Sequence, residues 1–301
     1  MFSTKSGAAK LSLIVVVGLI ILKVVVALIT GSISIYAQAA DSFLDLIAVI
    51  ITFFAVSIAT RPADEKHPFG HGKVENIAAI VQAVLIFTAG GLIIYTAVRR
   101  IMVGVPLALT EAGIGVMLVS IVASILLSRH LLKVSRATDS IALQANAHNI
   151  AADVYSAAAV LVGLLVIRFT RFHMLDPILA ILVALIIVKV AYDVLRRSFG
   201  GLIDTKLPEI EENEVRSCVI EHSSQLVSFH KLRTRKAGSQ RYIDLHLVMP
   251  KNASVEEAHR VCDHLEQDLE NTLSRISVTI HVEPCSIECA QCLIISCTLR
   301  Q

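Results

Sequence analysis

The sequence predicts a helical membrane protein with six transmembrane helices and a small C-terminal α+β domain. Three observations carry that expectation. First, 55% of the 301 residues are hydrophobic and only 17% are charged, with a mean hydropathy of +0.70, which is too apolar for an ordinary soluble chain. Second, six apolar runs reach the roughly 20 residues that a bilayer-crossing helix needs. Third, the composition changes after Gly200-Gly201 to a charged, alternating pattern.

The predicted spans are about 11–31, 34–60, 76–100, 108–132, 141–167 and 174–195, joined by short polar connectors. Residues 1–10 lead straight into an apolar run of spanning length, so no cleavable signal peptide is expected. With the N-terminus inside, the cytoplasmic connectors carry Lys5, Lys10, Arg61, Lys66, Lys73, Arg129, Lys133, Arg136, Arg196 and Arg197. The outer ones carry Arg99, Arg100, Arg168 and Arg171. The excess of positive charge inside predicts a multi-pass protein of the cell (inner) membrane with both termini cytoplasmic.

The predicted domains are residues 1–203, a transmembrane domain, and residues 204–301, a cytosolic domain. The second reads as a helix from Pro208 to about His222, strands near 226–235 and 240–249, a helix near 254–273 and a strand near 277–283. The αββαβ order implies a layered domain with one helical face and one open sheet face. Ser254 followed by Glu257 makes a capping box for the second helix. All six cysteines (Cys218, Cys262, Cys285, Cys289, Cys292 and Cys297) fall in this part, where cytosolic thiols stay reduced.

Charges inside apolar spans mark function, because placing them at membrane depth is expensive. The second span carries Asp41 and Asp45, four residues apart and so on one helix face. The fifth carries Asn149 and Asp153 at the same spacing. At 1.5 Å per residue Asp41 and Asp45 lie roughly 12 and 18 Å from the outer end of their span. Asn149 and Asp153 lie roughly 12 and 18 Å from the inner end of theirs. Across a core about 30 Å thick, Asp153 is level with Asp41 and Asn149 with Asp45. Four oxygen-bearing side chains can therefore converge on a cation.

His148 is about 140° of helix rotation from Asp153, so a hydrogen bond between helices competes with ligation there. Lys23, at a depth similar to Asp41, either pairs with a carboxylate or snorkels; a structural role is expected.

Asp64, His67 and His71 form a second candidate set in the connector after the second span. A carboxylate and two imidazoles within one compact turn suit Zn²⁺ or a similar ion, and a solvated loop is the competing reading. The soluble domain holds His222, His230, His246, His259, His264, His281 and Glu283. Strand alternation puts His281 and Glu283 on one side, and histidines from two strands and a helix can meet at a layer edge. Cys285, Cys289 and Cys292 can bind a soft metal, though irregular cysteine triplets are weak signals.

Taken together, these residues resemble the cation diffusion facilitator family, and within it the bacterial ferrous-iron and zinc efflux branch. The resemblance covers nearly the whole chain. It rests on Asp41-x3-Asp45, the Pro-Ala-Asp-x2-His-Pro-Phe-Gly-His-Gly-Lys connector, and Ala-Asn-Ala followed by Asp153-Val. It continues through Leu-Arg-Thr-Arg at 232–235, Ile-Asp-Leu-His-Leu, Ala-His259 and Ile-His281-x-Glu-Pro-Cys-Ser.

The resemblance implies a homodimer with six spans per chain, a ferredoxin-like cytosolic domain, and exchange of a divalent cation for protons by alternating access. It implies a transport site of Asp41, Asp45, Asn149 and Asp153, and a loop site of Asp64, His67 and His71. The cytosolic binuclear site would be His230, His246, His259, His281 and Glu283, with Zn²⁺ the expected ion. Lys73 and Asp204 occupy the positions of a charge interlock near the dimer interface.

Two residues depart from the zinc-branch pattern. Asn149 stands where that branch usually has histidine, with His148 displaced by one, and Glu283 stands where it often has aspartate. An amide in place of imidazole makes the site harder, moving preference from Zn²⁺ towards Mn²⁺ or Fe²⁺. It also removes a group that titrates near neutrality, so proton coupling would fall on carboxylates.

The partners expected are the transported cation, protons, the bilayer and a second copy of the chain, with no nucleic acid. A non-transporting metal sensor or dimeric scaffold is the alternative, and costly intramembrane carboxylates speak against it. An intramembrane enzyme is not expected: the chain has no His-Glu-x-x-His, no Gly-x-Ser-x-Gly and no further metal set with a general base.

Overall fold

The computed structural model describes residues 3–30, 33–103, 111–170, 175–222 and 225–285. The chain divides into two compact units, Met1–Gly200 and Gly201–Gln301.

The first unit is built from long helices: α1 (Lys5–Thr30), α2 (Ile33–Ala59), α3 (Lys73–Val103), α4 (Glu111–Thr138), α5 (Ile141–Thr170) and α6 (Leu175–Leu202). Among the described residues, Lys5–Ile29, Lys73–Arg99 and Gly115–Thr138 are long and apolar enough to cross a membrane, and Asp45–Ala59 is a shorter apolar stretch. Large apolar side chains such as Ile14, Leu28, Phe54, Val122 and Leu185 are exposed. Such surface is costly in water and unremarkable against lipid.

In the centre α1 packs on α2 and α4, α4 on α5, and α5 on both α2 and α3. The α3–α6 approach is close at Gly90, where a Cβ would stand 2.9 Å from Cγ2 of Val188. Burying apolar surface does little to hold helices together in lipid, so small residues and interhelical hydrogen bonds take that role. The described bundle has several such bonds. Asn146 Nδ2 donates to Ser12 Oγ at 3.0 Å, Ser128 Oγ to the Ala147 carbonyl at 2.9 Å, and Asn76 Nδ2 to the Ser198 carbonyl at 3.1 Å. Gln82 Nε2 also donates to Thr52 Oγ1.

The second unit runs α7 (Glu209–Glu221), β1 (Ser228–Ala237), β2 (Gln240–Met249), α8 (Val255–Thr272) and β3 (Ile276–Pro284). The sheet order is β1-β2-β3, with β1 antiparallel and β3 parallel to β2. Inward-facing Ile243, Leu245 and Leu247 of β2 bury against Val215 and Val219 of α7 and Val261, Leu265 and Leu269 of α8. Both helices therefore cover one sheet face. The alternate residues of β2, including His246, remain only partly buried on the opposite face. Ser254 and Glu257 form the expected reciprocal capping box at the start of α8.

Candidate metal centres

Register assembles the first centre. His230 of β1 pairs with His246 of β2, and His246 pairs with His281 of β3, so three histidines cross the sheet in one row. A register shift follows His230, and Lys231 takes a left-handed φ of 49°. The resulting bulge ends regular pairing beside the site, which is where bulges re-aim side chains.

Glu283, two residues beyond His281 on the same strand face, is the hub. His246 Nδ1 lies 2.6 Å from its Oε1, His230 Nε2 lies 3.2 Å from its Oε2, and His281 Nε2 lies 3.7 Å from Oε1. The His246 and His281 rings are 4.6 Å apart. The hydrogen bond from His246 holds the Glu283 carboxyl below its ordinary range, so it is ionised at neutral pH as a ligand must be.

The metal-binding atoms of His230, His246 and Glu283 all lie within 4.8 Å of one another. Ligand atoms around a tetrahedral Zn²⁺ with bonds near 2.0–2.1 Å are about 3.3 Å apart. The donor set and its spacing therefore fit such an ion.

His259 is left out of this group. It sits on α8, which covers the other face of the sheet; its side chain is 74% exposed and its Nδ1 lies 3.5 Å from Asp263 Oδ1. The sheet itself separates it from the histidine row.

The second centre is the connector between α2 and α3. Asp64 Oδ1 accepts the backbone N–H of His67 at 2.7 Å and of Lys66 at 3.0 Å. His67 Nδ1 lies 3.0 Å from the same oxygen, and His71 Nε2 lies 3.4 Å from Oδ2. The two imidazole centroids are 4.4 Å apart. Gly70, with φ of 75°, allows the chain to reverse between them. The backbone N–H of His67 is the main reason the Asp64 carboxyl is held low. The Nδ1 of His71 is buried without a protein partner. Asp64, His67 and His71 also meet within 4.8 Å, which answers the spacing argument with a compact turn.

Comparison with known proteins gives the family. Residues 9–203 match the cation efflux transmembrane domain, and residues 207–285 match the cytoplasmic domain of cation efflux proteins. The chain belongs to the cation efflux family. An uncharacterized transporter of Synechocystis sp. is 32% identical over 256 residues, covering 85% of this chain and 83% of that one. The cation-efflux pump FieF of Salmonella typhi is 31% identical over 269 residues, 89% of each chain. A solved chain described as a proposed zinc transporter, CzrB, is 38% identical; it covers 27% of this chain and 99% of its own length. Its TM-score of 0.26 is too low to speak for the fold.

Membership makes the first unit a transmembrane domain and the second a cytoplasmic one. Within this cation efflux protein, α2 packs against α5. Asp45 is half-buried on α2; Asn149, 8% exposed, and Asp153, more open, follow one face of α5. The Asp41 side chain lies outside the described residues, so three of the four expected members can be followed. His148 is half-buried on α5, among buried neighbours.

Lys23 resolves into a specific contact. Its Nζ donates to Ser42 Oγ at 2.6 Å, so the ammonium is turned into the bundle rather than snorkelled. Lys73 opens α3 in the first unit, whereas Asp204 of the second accepts a bond from Arg235 Nη1 at 3.4 Å. Cys285 is a free, half-buried thiol, and Cys289 and Cys292 lie outside the described residues.

Sequence reading missed Lys5 and Glu75, which join at 2.7 Å inside the bundle. The available signal was an acidic residue in the first turn of an apolar helix.

Proposed function

We propose that this cation efflux protein is a secondary transporter that exports a divalent ion, Zn²⁺, Fe²⁺ or Mn²⁺, in exchange for protons. It works as a homodimer in the inner membrane, with six spans per chain (residues 1–203) and both termini cytoplasmic. Residues 204–301 form a ferredoxin-like cytosolic domain. The observation that carries this reading is the packing of α2 on α5, one bearing Asp45 and the other Asn149 and Asp153.

Asp41, Asp45, Asn149 and Asp153 hold the ion during alternating access. Facing inward, the carboxylates release protons and take the cation; facing outward, returning protons displace it. The cluster of His230, His246, His281 and Glu283 binds cytosolic metal in the soluble domain. His259, on the helix that covers the far face of its own sheet, would join such a centre only from a second protomer. Metal bridging two soluble domains would then sense load. Asp64, His67 and His71 form a loop site at the membrane surface, while Lys73 and Asp204 lock charges near the dimer interface.

Uptake into proteoliposomes under an imposed pH gradient, with Zn²⁺, Fe²⁺ and Mn²⁺ side by side, tests the reading. Gradient-dependent uptake is expected. Uptake that ignores the gradient would remove proton exchange, and no uptake of any ion would favour the sensor.

A further inference from the structure

The one basic side chain inside the apolar stretch of α1 is Lys23. A lysine at that depth is costly unless it snorkels or is used. Its ammonium does not snorkel: it donates to Ser42 Oγ at 2.6 Å, and Ser42 is 4% exposed. Ser42 lies between the two carboxylates assigned to the transport site, one residue after Asp41 and three before Asp45. Residues three apart on a helix have Cβ atoms roughly 5–6 Å apart. A charge fixed on Ser42 therefore acts at short range on whatever Asp45 binds.

Charge counting gives the contact a meaning. Asp41, Asp45 and Asp153 bring three negative charges, and Asn149 brings none. With Lys23 the set carries a net charge of two minus, 3 − 1, the complement of a divalent ion. A low-dielectric interior tolerates residual charge poorly. Balance of this kind lets the loaded site change its exposure without carrying net charge through the bundle.

We propose that Lys23 is the resident counter-charge of the transport site, held on Ser42, and that it limits how tightly a divalent cation binds so that the cation can leave. This rests on the transport-site reading above. Removing the charge should deepen the site for the ion and slow its release, so KM and kcat fall together. A lysine that merely joins α1 to α2 would lower kcat or yield and leave KM where it was.

The test is Zn²⁺ uptake by the full-length protein in proteoliposomes, comparing Lys23→Gln, Lys23→Arg and Asp45→Ala with wild type. Glutamine removes the charge and keeps a polar donor on a stem one bond shorter; arginine keeps the charge. For Lys23→Gln the expected result is a KM lowered by about tenfold or more, since an unscreened unit charge at this range is a large effect, with a comparable loss of kcat. Lys23→Arg should stay near wild type in both.

Wild-type KM in Lys23→Gln would overturn the proposal, whether or not kcat drops. If Lys23→Gln does not fold, Lys23→Met decides, since it keeps the stem and removes the charge: a KM lowered to the same extent is required, and a wild-type KM refutes a role for charge. Normal flux in Asp45→Ala would refute the transport site itself, a failure separate from that of Lys23.

Discussion

Lys5 Nζ stands 2.7 Å from Glu75 Oε1 in a buried pair that joins the first turns of α1 and α3. Ser140, just before α5, donates to the other carboxylate oxygen at 2.6 Å. Glu75 is 1% exposed, so both of its oxygens are satisfied within the bundle. Breaking a buried pair by removing one partner leaves an uncompensated charge and costs about 3–5 kcal/mol. Lys5→Met is therefore expected to destabilise the folded protein by about 3 kcal/mol or more. Lys5→Met with Glu75→Gln should recover most of that loss. Unfolding in detergent measures both, and a single variant within about 0.5 kcal/mol of wild type, the range of ordinary surface changes, would deny the pair its structural role.

The sheet centre makes a binding prediction. His246 touches Glu283 at 2.6 Å and pairs in register with both His230 and His281, so it is the member common to the row. Removing a residue that only supports a ligand typically costs 10–100-fold in metal affinity; His246→Ala should exceed about 100-fold for Zn²⁺ at the cytosolic domain. Calorimetric titration of the full-length protein reads this as the loss of a high-affinity phase. An unaltered titration would remove His246 from the centre.

A pH effect follows from the cap of α8. The backbone and side chain of Ser254 hydrogen-bond the Glu257 carboxylate and hold its pKa below the usual value. A carboxyl depressed in the folded state contributes stability above its unfolded pKa, about 4.3. That contribution is lost as pH falls through the lower, folded value. Glu257→Gln should therefore be less stable than wild type at pH 7, and the gap should narrow by pH 3. Denaturation of the soluble unit followed at both pH values checks it; a gap that widens in acid would reverse the assignment. Ser254→Ala should cost about 1 kcal/mol, as lost N-caps do.

Periodicity made much of this architecture legible. Apolar runs anticipated the helices of the first unit, and alternation in Ile243-Asp-Leu-His-Leu247 anticipated a strand with His246 off the apolar face. What spacing could not supply was register, which is decided across strands rather than along them. The row His230–His246–His281 and the exclusion of His259 both come from pairing and from α8 lying on the opposite face. The same holds for Lys5–Glu75 and Lys23–Ser42, whose partners are 70 and 19 residues apart. The apolar runs fall short at their ends for a simpler reason. Polar and charged residues at the termini extend helices into the interface, as Arg136 does near the end of α4, where a length criterion based on apolar residues stops early.

Asp45→Ala should abolish transport while leaving the dimer intact. Asp45 lies within α2 of the bundle, away in sequence from the cytosolic domain and the charge interlock on which the proposed dimer rests. Flux and oligomeric state, measured on the same preparation, separate the two roles. Normal flux would sink the site, and a monomer would mean that Asp45 acts through assembly.

Asn149 is the residue on which ion preference should turn. It is buried on α5, one helical turn before Asp153, and its amide oxygen is a harder donor than an imidazole nitrogen. Oxygen-rich sites favour Mn²⁺ and Fe²⁺, and imidazole favours Zn²⁺. Asn149→His should thus raise the Zn²⁺/Mn²⁺ uptake ratio. His148 is the natural control: it lies about 100° around the helix from Asn149, and His148→Ala should leave the ratio alone. An unchanged ratio in Asn149→His, with uptake intact, would take Asn149 out of the selectivity argument and leave ion choice to the carboxylates.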